Sequence, residues 1–240
     1  SREALEAYRR VVDRRPDMGL AYTRLAFIQW ELGATGDAIA TLRGALQKMA
    51  PDIDIEIRLG TYLAEAGEPA EAIPLLERAT AASPENKDGL NALGIAYAGA
   101  GREANALATF ERILAMDPRD AFALENIGTV HLQRGHLDAA GEAYTRAAAC
   151  DPTSSRAHAG LGVVALKSGR SDEAIRHWQR AVELDSGNFD AVYNLSAELI
   201  VAGRPGEARP YVEQFVRAAP PGLYARDIER LRRWQAGRGR

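Results

Sequence analysis

A period of 34 residues runs along nearly the whole chain and constrains its fold more than any other feature. One position of each period is a glycine, found at Gly33, Gly67, Gly101, Gly135, Gly169 and Gly203. A second position is an alanine, found at Ala38, Ala72, Ala106, Ala140, Ala174 and Ala208. No insertion or deletion interrupts the spacing. Such regularity is typical of a solenoid, in which one supersecondary unit repeats and packs on its neighbours.

Each period predicts two helices joined by a tight turn. Leu90, Leu93 and Tyr97 follow the i, i+3, i+7 spacing of one helical stripe. Ala106 and Phe110 mark the inner face of the second helix. The repeated glycine stands just past the first helix, where the chain needs a positive φ that disfavours a Cβ. We therefore expect this glycine to end the first helix of every unit.

A small residue also recurs within the first helix of every unit: Ala26, Gly60, Gly94, Gly128, Gly162 and Ser196. We expect it to let the first helix approach the second closely. A bulkier side chain in such a contact typically costs about 1–3 kcal/mol of stability.

The stretch from Lys87 to Asp120 resembles the tetratricopeptide repeat. The residues that carry the resemblance are Leu90, Leu93-Gly94, Tyr97, Ala106, Phe110 and Pro118. The resemblance implies an all-α, right-handed superhelical solenoid of antiparallel helix pairs. It covers Gly19 to Gly222 as six repeats. Residues 1–18 match only the second helix of a truncated repeat, and residues 223–240 are expected to form a C-terminal capping helix and tail.

Composition excludes several classes of function. A net charge of −3 and a pI near 5.9 give no basic excess for nucleic acid. Cys150 is the single cysteine, so no intramolecular disulfide forms. No apolar run reaches the length of a membrane span. The Ala-, Arg- and Gly-rich composition indicates a soluble bacterial protein, with cytoplasm and periplasm both left open.

The sequence contains no pattern typical of catalysis, and we expect no enzyme activity and no cofactor. The four histidines form no His-x₃-His pair and predict no metal site: His131, His136, His158 and His177. The segment Gly160–Ala165 matches the G-x-G-x-x-A nucleotide fingerprint. That fingerprint requires a strand before the glycines, whereas this segment is predicted to be helical.

The resemblance places ligand-facing residues on the first helices, which line the concave groove of such solenoids. Carried over repeat by repeat, the expected groove residues are Arg24, Phe27, Trp30, Arg58, Thr61, Asn91, Ile95, Phe122, Asn126, Thr129, Leu132, Val163, Lys167, Tyr193 and Asn194. The same family positions also include Leu166 and Ile200, for which the alternative is packing between adjacent repeats.

Two known uses of this groove each require a particular residue pattern. Chaperone-binding members hold a C-terminal carboxylate with a Lys and an Asn four residues apart, and no repeat has that pair. Nucleocytoplasmic sugar transferases carry an asparagine ladder that grips peptide backbone. Asn126 and Asn194 match that ladder, but it is interrupted by Arg24, Arg58, Ala92 and Gly160.

Charge is distributed unevenly along the chain. In residues 53–86, seven acidic residues against two arginines give a net charge of −5. In residues 223–240, six arginines against two acidic residues give +4. Such runs are usually solvated helix faces, and the alternative is a steering patch for a charged partner.

The sequence as a whole predicts a protein–protein interaction scaffold that binds an extended or helical partner segment in its groove. The alternative is a regulatory or substrate-recruiting arm of a larger bacterial enzyme whose catalytic domain lies outside these residues. The segment from Arg217 to Pro221 before the last helix is similar to C-terminal repeat regions of some bacterial multidomain proteins, sulfatase-like hydrolases among them. Homo-association through the open N-terminal end is a further expected interaction.

Overall fold

The computed structural model describes residues 2–237, and within them the chain forms fourteen α-helices and no β-strand. The helices are α1 (Arg2–Arg14), α2 (Gly19–Glu31), α3 (Thr35–Lys48), α4 (Ile53–Glu65), α5 (Pro69–Ala82), α6 (Lys87–Gly99), α7 (Glu103–Met116), α8 (Ala121–Gln133), α9 (Leu137–Cys150), α10 (Ser155–Lys167), α11 (Ser171–Leu184), α12 (Phe189–Val201), α13 (Pro205–Ala218) and α14 (Pro221–Gly237). The expected all-α fold is confirmed. No described helix is long and apolar enough to cross a bilayer.

The chain divides into two compact units at a repeat boundary, Ser1–Pro118 and Arg119–Arg240, called here the N-terminal and C-terminal units. In the N-terminal unit α2 packs on α3, α4 on α5 and α6 on α7. The first helices of these pairs also pack on one another, α2 on α4 and α4 on α6. In the C-terminal unit the pairs are α8 with α9, α10 with α11 and α12 with α13, and α14 packs on α13.

The turn inside each helix pair depends on the repeated glycine. The φ angles are 77° at Gly33, 81° at Gly67, 72° at Gly101, 78° at Gly135, 76° at Gly169 and 71° at Gly203. Among the residues from Arg2 to Gly237, no other residue type has a positive φ. The predicted positive φ is therefore confirmed at all six positions.

The small residue of the first helix lies where two helices meet. A Cβ built on Gly94 would lie 2.6 Å from the Phe110 ring carbon Cζ. A Cβ on Gly60 would lie 2.7 Å from Leu76 Cδ2. These distances are below normal van der Waals contact. The predicted close approach of the paired helices is confirmed.

The connections between repeats are fixed by side-chain caps. Asp52, Asn86, Asp120, Ser154 and Asn188 each precede a first helix and accept a hydrogen bond from a backbone N–H in its first turn. Such a cap typically stabilises a helix by about 1 kcal/mol. The described second helices from α3 to α13 begin without a side-chain cap. Each of these five first helices is therefore anchored at the start of its repeat.

The last helix, α14, begins at Pro221 and has non-helical backbone angles at Tyr224. Ile228 and Leu231 are buried against a cluster that includes Phe215. The tail predicted after this helix lies partly outside the described residues, which end at residue 237. The described part of α14 therefore covers one end of the apolar core of the C-terminal unit.

Candidate functional site

The first helices of the N-terminal unit, α2, α4 and α6, form a groove of about 610 Å³. It is lined by Leu20, Thr23, Arg24, Phe27, Asp54, Ile57, Arg58, Thr61, Glu65, Asn86, Asp88, Asn91, Ala92 and Ile95. Because each first helix ends at a positive-φ glycine and packs on the next, three copies of one helical face stand side by side. The groove is thus a direct product of the repeat.

Six of the seven groove residues predicted in this unit line the cavity: Arg24, Phe27, Arg58, Thr61, Asn91 and Ile95. The seventh, Trp30, is not among the lining residues. Its indole instead stacks on Tyr62, with ring centroids 4.1 Å apart and an interplanar angle of 8°. Trp30 thus packs between neighbouring repeats.

Two arginines give the groove its cationic groups. The guanidinium of Arg58 lies 5.9 Å from the ring centroid of Tyr62, within cation–π range. Neither Arg24 nor Arg58 forms an ion pair with any residue between Arg2 and Gly237. Burial raises the pKa of the Glu65 carboxyl, and the charge of Arg58 partly opposes that rise. Both guanidinium groups therefore remain available to an anionic partner group.

Large apolar side chains are exposed in the same groove. Leu20 is 59% exposed, Phe27 43% and Ile95 39%. Covering apolar surface is worth about 25 cal/mol per Å² removed from water. The groove therefore offers apolar contact area beside two arginines that form no ion pair with a described residue. Asp54, Glu65 and Asp88 add negative charge to the same lining.

Several lining residues were absent from the prediction, including Leu20, Asn86, Asp88 and Glu65. Asn86 caps α6 through a hydrogen bond from Gly89 N at 2.9 Å. The preference of asparagine for the position before a helix was the signal that could have placed it at the edge of the groove.

In the C-terminal unit, two of the predicted polar groove residues, Asn126 and Thr129, are already engaged by neighbours. Asn126 is buried, and its Oδ1 accepts a hydrogen bond from Arg156 Nη2 at 3.2 Å. The hydroxyl of Thr129 lies 2.9 Å from that of Tyr144. Arg156 Nε also lies 3.2 Å from Oε2 of the buried Glu125. Asn126, Thr129 and Arg156 are therefore engaged inside the unit, whereas Glu125 Oε2 accepts no hydrogen bond from any described residue.

The predicted apolar residues of this unit are also partly used for packing. Leu132 packs against Tyr144 and its neighbours, and Val163 packs against the cluster that contains Trp178. Tyr193 lies 5.4 Å from Phe215 between ring centroids. Its hydroxyl accepts a hydrogen bond from an arginine on α14. Leu132, Val163 and Tyr193 are therefore less available to a ligand.

Three further predicted residues of the C-terminal unit differ in exposure. Phe122 is 65% exposed, Lys167 is exposed, and Asn194 is half-buried. Phe122 is the most accessible aromatic ring among the predicted set. A role for these residues in binding stays a prediction.

The repeat geometry agrees with the comparison to known families. Two family models, both described as tetratricopeptide repeat, match residues 1–52, 57–121, 100–155 and 131–199. The chain belongs to the tetratricopeptide repeat family. Tetratricopeptide repeats are protein–protein interaction scaffolds and are generally not catalytic. The family predicted from the 34-residue period is confirmed.

Solved structures of other tetratricopeptide repeat proteins share the fold. TTC0263, a thermophilic protein of this family from Thermus thermophilus, is 22% identical with a TM-score of 0.67, over 76% of this chain and 100% of that one. MamA from Desulfovibrio magneticus is 21% identical with a TM-score of 0.55, over 69% of this chain and 93% of that one. One chain in the structure of the APC/C hetero-tetramer Cut9–Hcn1 is 16% identical with a TM-score of 0.72, over 93% of this chain and 45% of that one. No curated protein matches the chain significantly.

Proposed function

We propose that the groove between α2, α4 and α6 binds an extended or helical segment of a partner protein. The observation that carries this proposal is that one cavity holds three exposed apolar side chains and two guanidinium groups that form no ion pair with a described residue. In the C-terminal unit the side chains of Asn126 and Thr129 already bond to neighbouring side chains, so they have less to gain from a ligand. The N-terminal groove is therefore the better binding surface.

The lining residues favour a partner segment of a particular chemistry. Arg24 and Arg58 favour carboxylates, because guanidinium–carboxylate hydrogen bonds are charge-assisted and geometrically specific. Phe27 and Ile95 favour an apolar side chain between them. Asp54 lies in the same lining and favours a neighbouring cationic group. The expected segment combines an apolar anchor with acidic and basic residues.

Asn91 and Thr61 add hydrogen-bonding capacity along the groove. An asparagine amide can both donate to and accept from a peptide backbone. The hydroxyl of Thr61 donates to Ile57 O at 2.8 Å, and its oxygen retains acceptor capacity. These groups suit the recognition of main chain and add little preference for one sequence.

A random peptide library displayed on phage tests the proposal and does not require the natural partner to be identified first. Peptides selected on the chain are measured by fluorescence anisotropy against the unmodified chain and against the double variant Arg24→Glu/Arg58→Glu. We expect the double variant to weaken binding by at least about tenfold, because central arginines tend to dominate interface energy. The same loss is expected for Phe27→Ala.

Arg209→Glu is the matched control, because Arg209 is exposed on α13 in the other unit. It changes the net charge in the same direction without touching the groove. Selected peptides that bind the groove variants and the control variant equally well would contradict the proposal. The alternative function, a recruiting arm of a larger enzyme, stays a prediction about residues outside this chain.

A further inference from the structure

Two of the four histidines meet across the α10–α11 pair of the C-terminal unit. His158 and His177 are separated by 19 residues, yet their Nδ1 atoms lie 3.5 Å apart. The ring centroids are 5.8 Å apart and the ring planes are inclined by 29°. Because the nitrogens are much closer than the centroids, the rings present their Nδ1 edges to each other. The antiparallel packing of the two helices creates this arrangement.

The spacing of these nitrogens suits two ligands of one metal ion. A Zn–N bond is about 2.0–2.1 Å long, and two such bonds at a tetrahedral angle place their nitrogens about 3.4 Å apart. The observed separation is 3.5 Å. We propose that His158 and His177 form a two-histidine site for a divalent transition-metal ion. The site is independent of the peptide groove.

A neighbouring carboxylate adds negative charge beside the pair. Glu173 Oε1 lies 3.8 Å from His177 Nε2, which is too long for a hydrogen bond. The same carboxylate accepts hydrogen bonds from Arg170 Nη1 at 3.1 Å and 2.9 Å. Glu173 therefore neutralises part of the positive charge near His177 without binding the ion itself.

The remaining coordination positions face partly open space. His158 and His177 are both half-buried, and the side chain of His177 keeps 26% of its surface exposed. Water molecules can therefore complete a tetrahedral shell. To bind one ion, both rings must turn so that their lone pairs, which lie along the line between the two Nδ1 atoms, converge on one point. Imidazole donors select ions such as Zn²⁺, Cu²⁺ and Ni²⁺ over Mg²⁺ and Ca²⁺.

Proton balance is simple at this site. Without metal, one Nδ1–H of the pair faces the lone pair of the other nitrogen. When the ion binds, that proton moves to Nε2 of the same ring, so two neutral imidazoles bind without net proton release. Burial lowers the pKa of both histidines, which favours their neutral forms. The positive charges of Arg170, Arg176 and Arg180 oppose the cation and limit its affinity.

Site-resolved NMR of the histidine rings tests the proposal directly. The chain is freed of metal with a chelator, exchanged into chelator-free buffer, and titrated with ZnCl₂. We expect saturable shifts of the Nδ1 resonances of His158 and His177, and no such shifts with MgCl₂. Absence of Zn²⁺-dependent shifts at these two rings would overturn the assignment. Equal shifts with MgCl₂ would overturn it as well.

Calorimetric titration of variants measures how much each side chain contributes to the affinity for Zn²⁺. His158→Gln and His177→Gln should each weaken Zn²⁺ binding by at least about tenfold, because the second ligand then acts without the effective concentration of the first. Glu173→Gln should also weaken it, because Arg170 then loses the carboxylate that neutralises its charge beside His177. The matched control is Glu213→Gln, which changes the charge by the same amount at an exposed position on α13.

The control variant should bind Zn²⁺ as the unmodified chain does, and circular dichroism should show that every variant keeps its helices. Wild-type affinity in the double variant His158→Gln/His177→Gln would refute the site. Equal weakening by Glu173→Gln and Glu213→Gln would refute the electrostatic role of Glu173.

Discussion

The indole of Trp178 occupies the space that a side chain at Gly162 would need. A Cβ built on Gly162 would lie 2.6 Å from Trp178 Cδ1. The indole is fully buried, and its Nε1 donates a hydrogen bond to the Ala159 carbonyl at 3.2 Å. The absence of a side chain at this position of α10 thus allows the largest side chain of α11 to reach the backbone of α10. This contact joins the two helices of the fifth repeat.

Substitution of Gly162 should therefore lower stability. Gly162→Ala forces Trp178 to move and weakens its hydrogen bond, and the expected loss is about 1–3 kcal/mol in the free energy of unfolding. The measurement is chemical denaturation followed by tryptophan fluorescence and circular dichroism.

Gly206→Ala provides the control in the same unit. Gly206 lies in α13, and a Cβ there would meet no described atom within 4 Å. Because alanine is a better helix former than glycine, this change should stabilise the helix by up to about 1 kcal/mol. Equal effects of the two substitutions on the free energy of unfolding would show that the close contact at Gly162 does not determine stability.

The sequence predicts the helices well because their signals are local. Gly101 ends a helix through its own backbone freedom, and Gly94 is required by the single ring of Phe110 that faces it. These constraints act within one repeat and recur every 34 residues. Each constraint is therefore visible several times along the same chain.

The candidate site is less predictable because it depends on side chains from different repeats. Asn126 has a groove position, but Arg156 of the next repeat engages it. Trp30 has a groove position, but its ring stacks on Tyr62 of the next repeat. The pattern of the family predicts which backbone positions line the groove. Whether a side chain at such a position is available to a ligand depends on these contacts between repeats.

The pairing of Glu125 with Arg156 should contribute to stability. The side chain of Glu125 is only 3% exposed, whereas that of Arg156 is 59% exposed. Arg156→Ala would leave a buried carboxylate with the Ser154 hydroxyl as its remaining hydrogen-bond partner. We expect a loss of about 1–3 kcal/mol in unfolding free energy, because a buried polar group then lacks a partner.

Arg146→Ala is the control for that change, because Arg146 is exposed on α9 of the same unit. Its removal should alter stability by less than about 0.5 kcal/mol. Denaturation curves of the two variants that coincide would contradict a stabilising role for the pair.

Two tyrosines should lose their phenolic protons at a higher pH than ordinary tyrosines do. Burial, followed by a hydrogen bond to a carboxylate, raises the pKa of Tyr97 to about 12, and the same causes raise the pKa of Tyr224 to about 12. Tyr97 donates to Glu77 at 2.6 Å, and Tyr224 donates to Asp190 at 2.9 Å. Because the unfolded pKa is about 10, this contribution to stability is complete below about pH 10. It is lost as pH rises toward 12.

Tyrosinate absorbance measures these pKa values directly. Tyr97→Phe should remove one phenol from the late part of the titration. Glu77→Gln should lower the pKa of Tyr97 but leave it above its ordinary value, because burial is the larger cause. A titration curve of Tyr97→Phe that overlays the unmodified curve at high pH would disprove the assignment.

Removal of α14 should weaken the C-terminal unit without abolishing its helices. Deletion of residues 221–240 exposes the apolar surface that Ile228 and Leu231 cover, including that of Phe215. Fully burying one such side chain is worth about 1.5–3 kcal/mol, so the deletion should cost roughly 3 kcal/mol or more. In a repeat array the loss falls on the terminal repeat first, because each repeat is stabilised mainly by its neighbours.

A point variant separates this packing effect from the loss of chain length. Leu231→Ala should reproduce part of the destabilisation, whereas Arg232→Ala, which changes an exposed neighbour, should have little effect. Circular dichroism measures the helical content of each variant, and denaturant titration measures its stability. Complete loss of the helical signal on deletion would mean that the repeats fold only as one cooperative block. An unchanged midpoint would mean that α14 does not cover the core in solution.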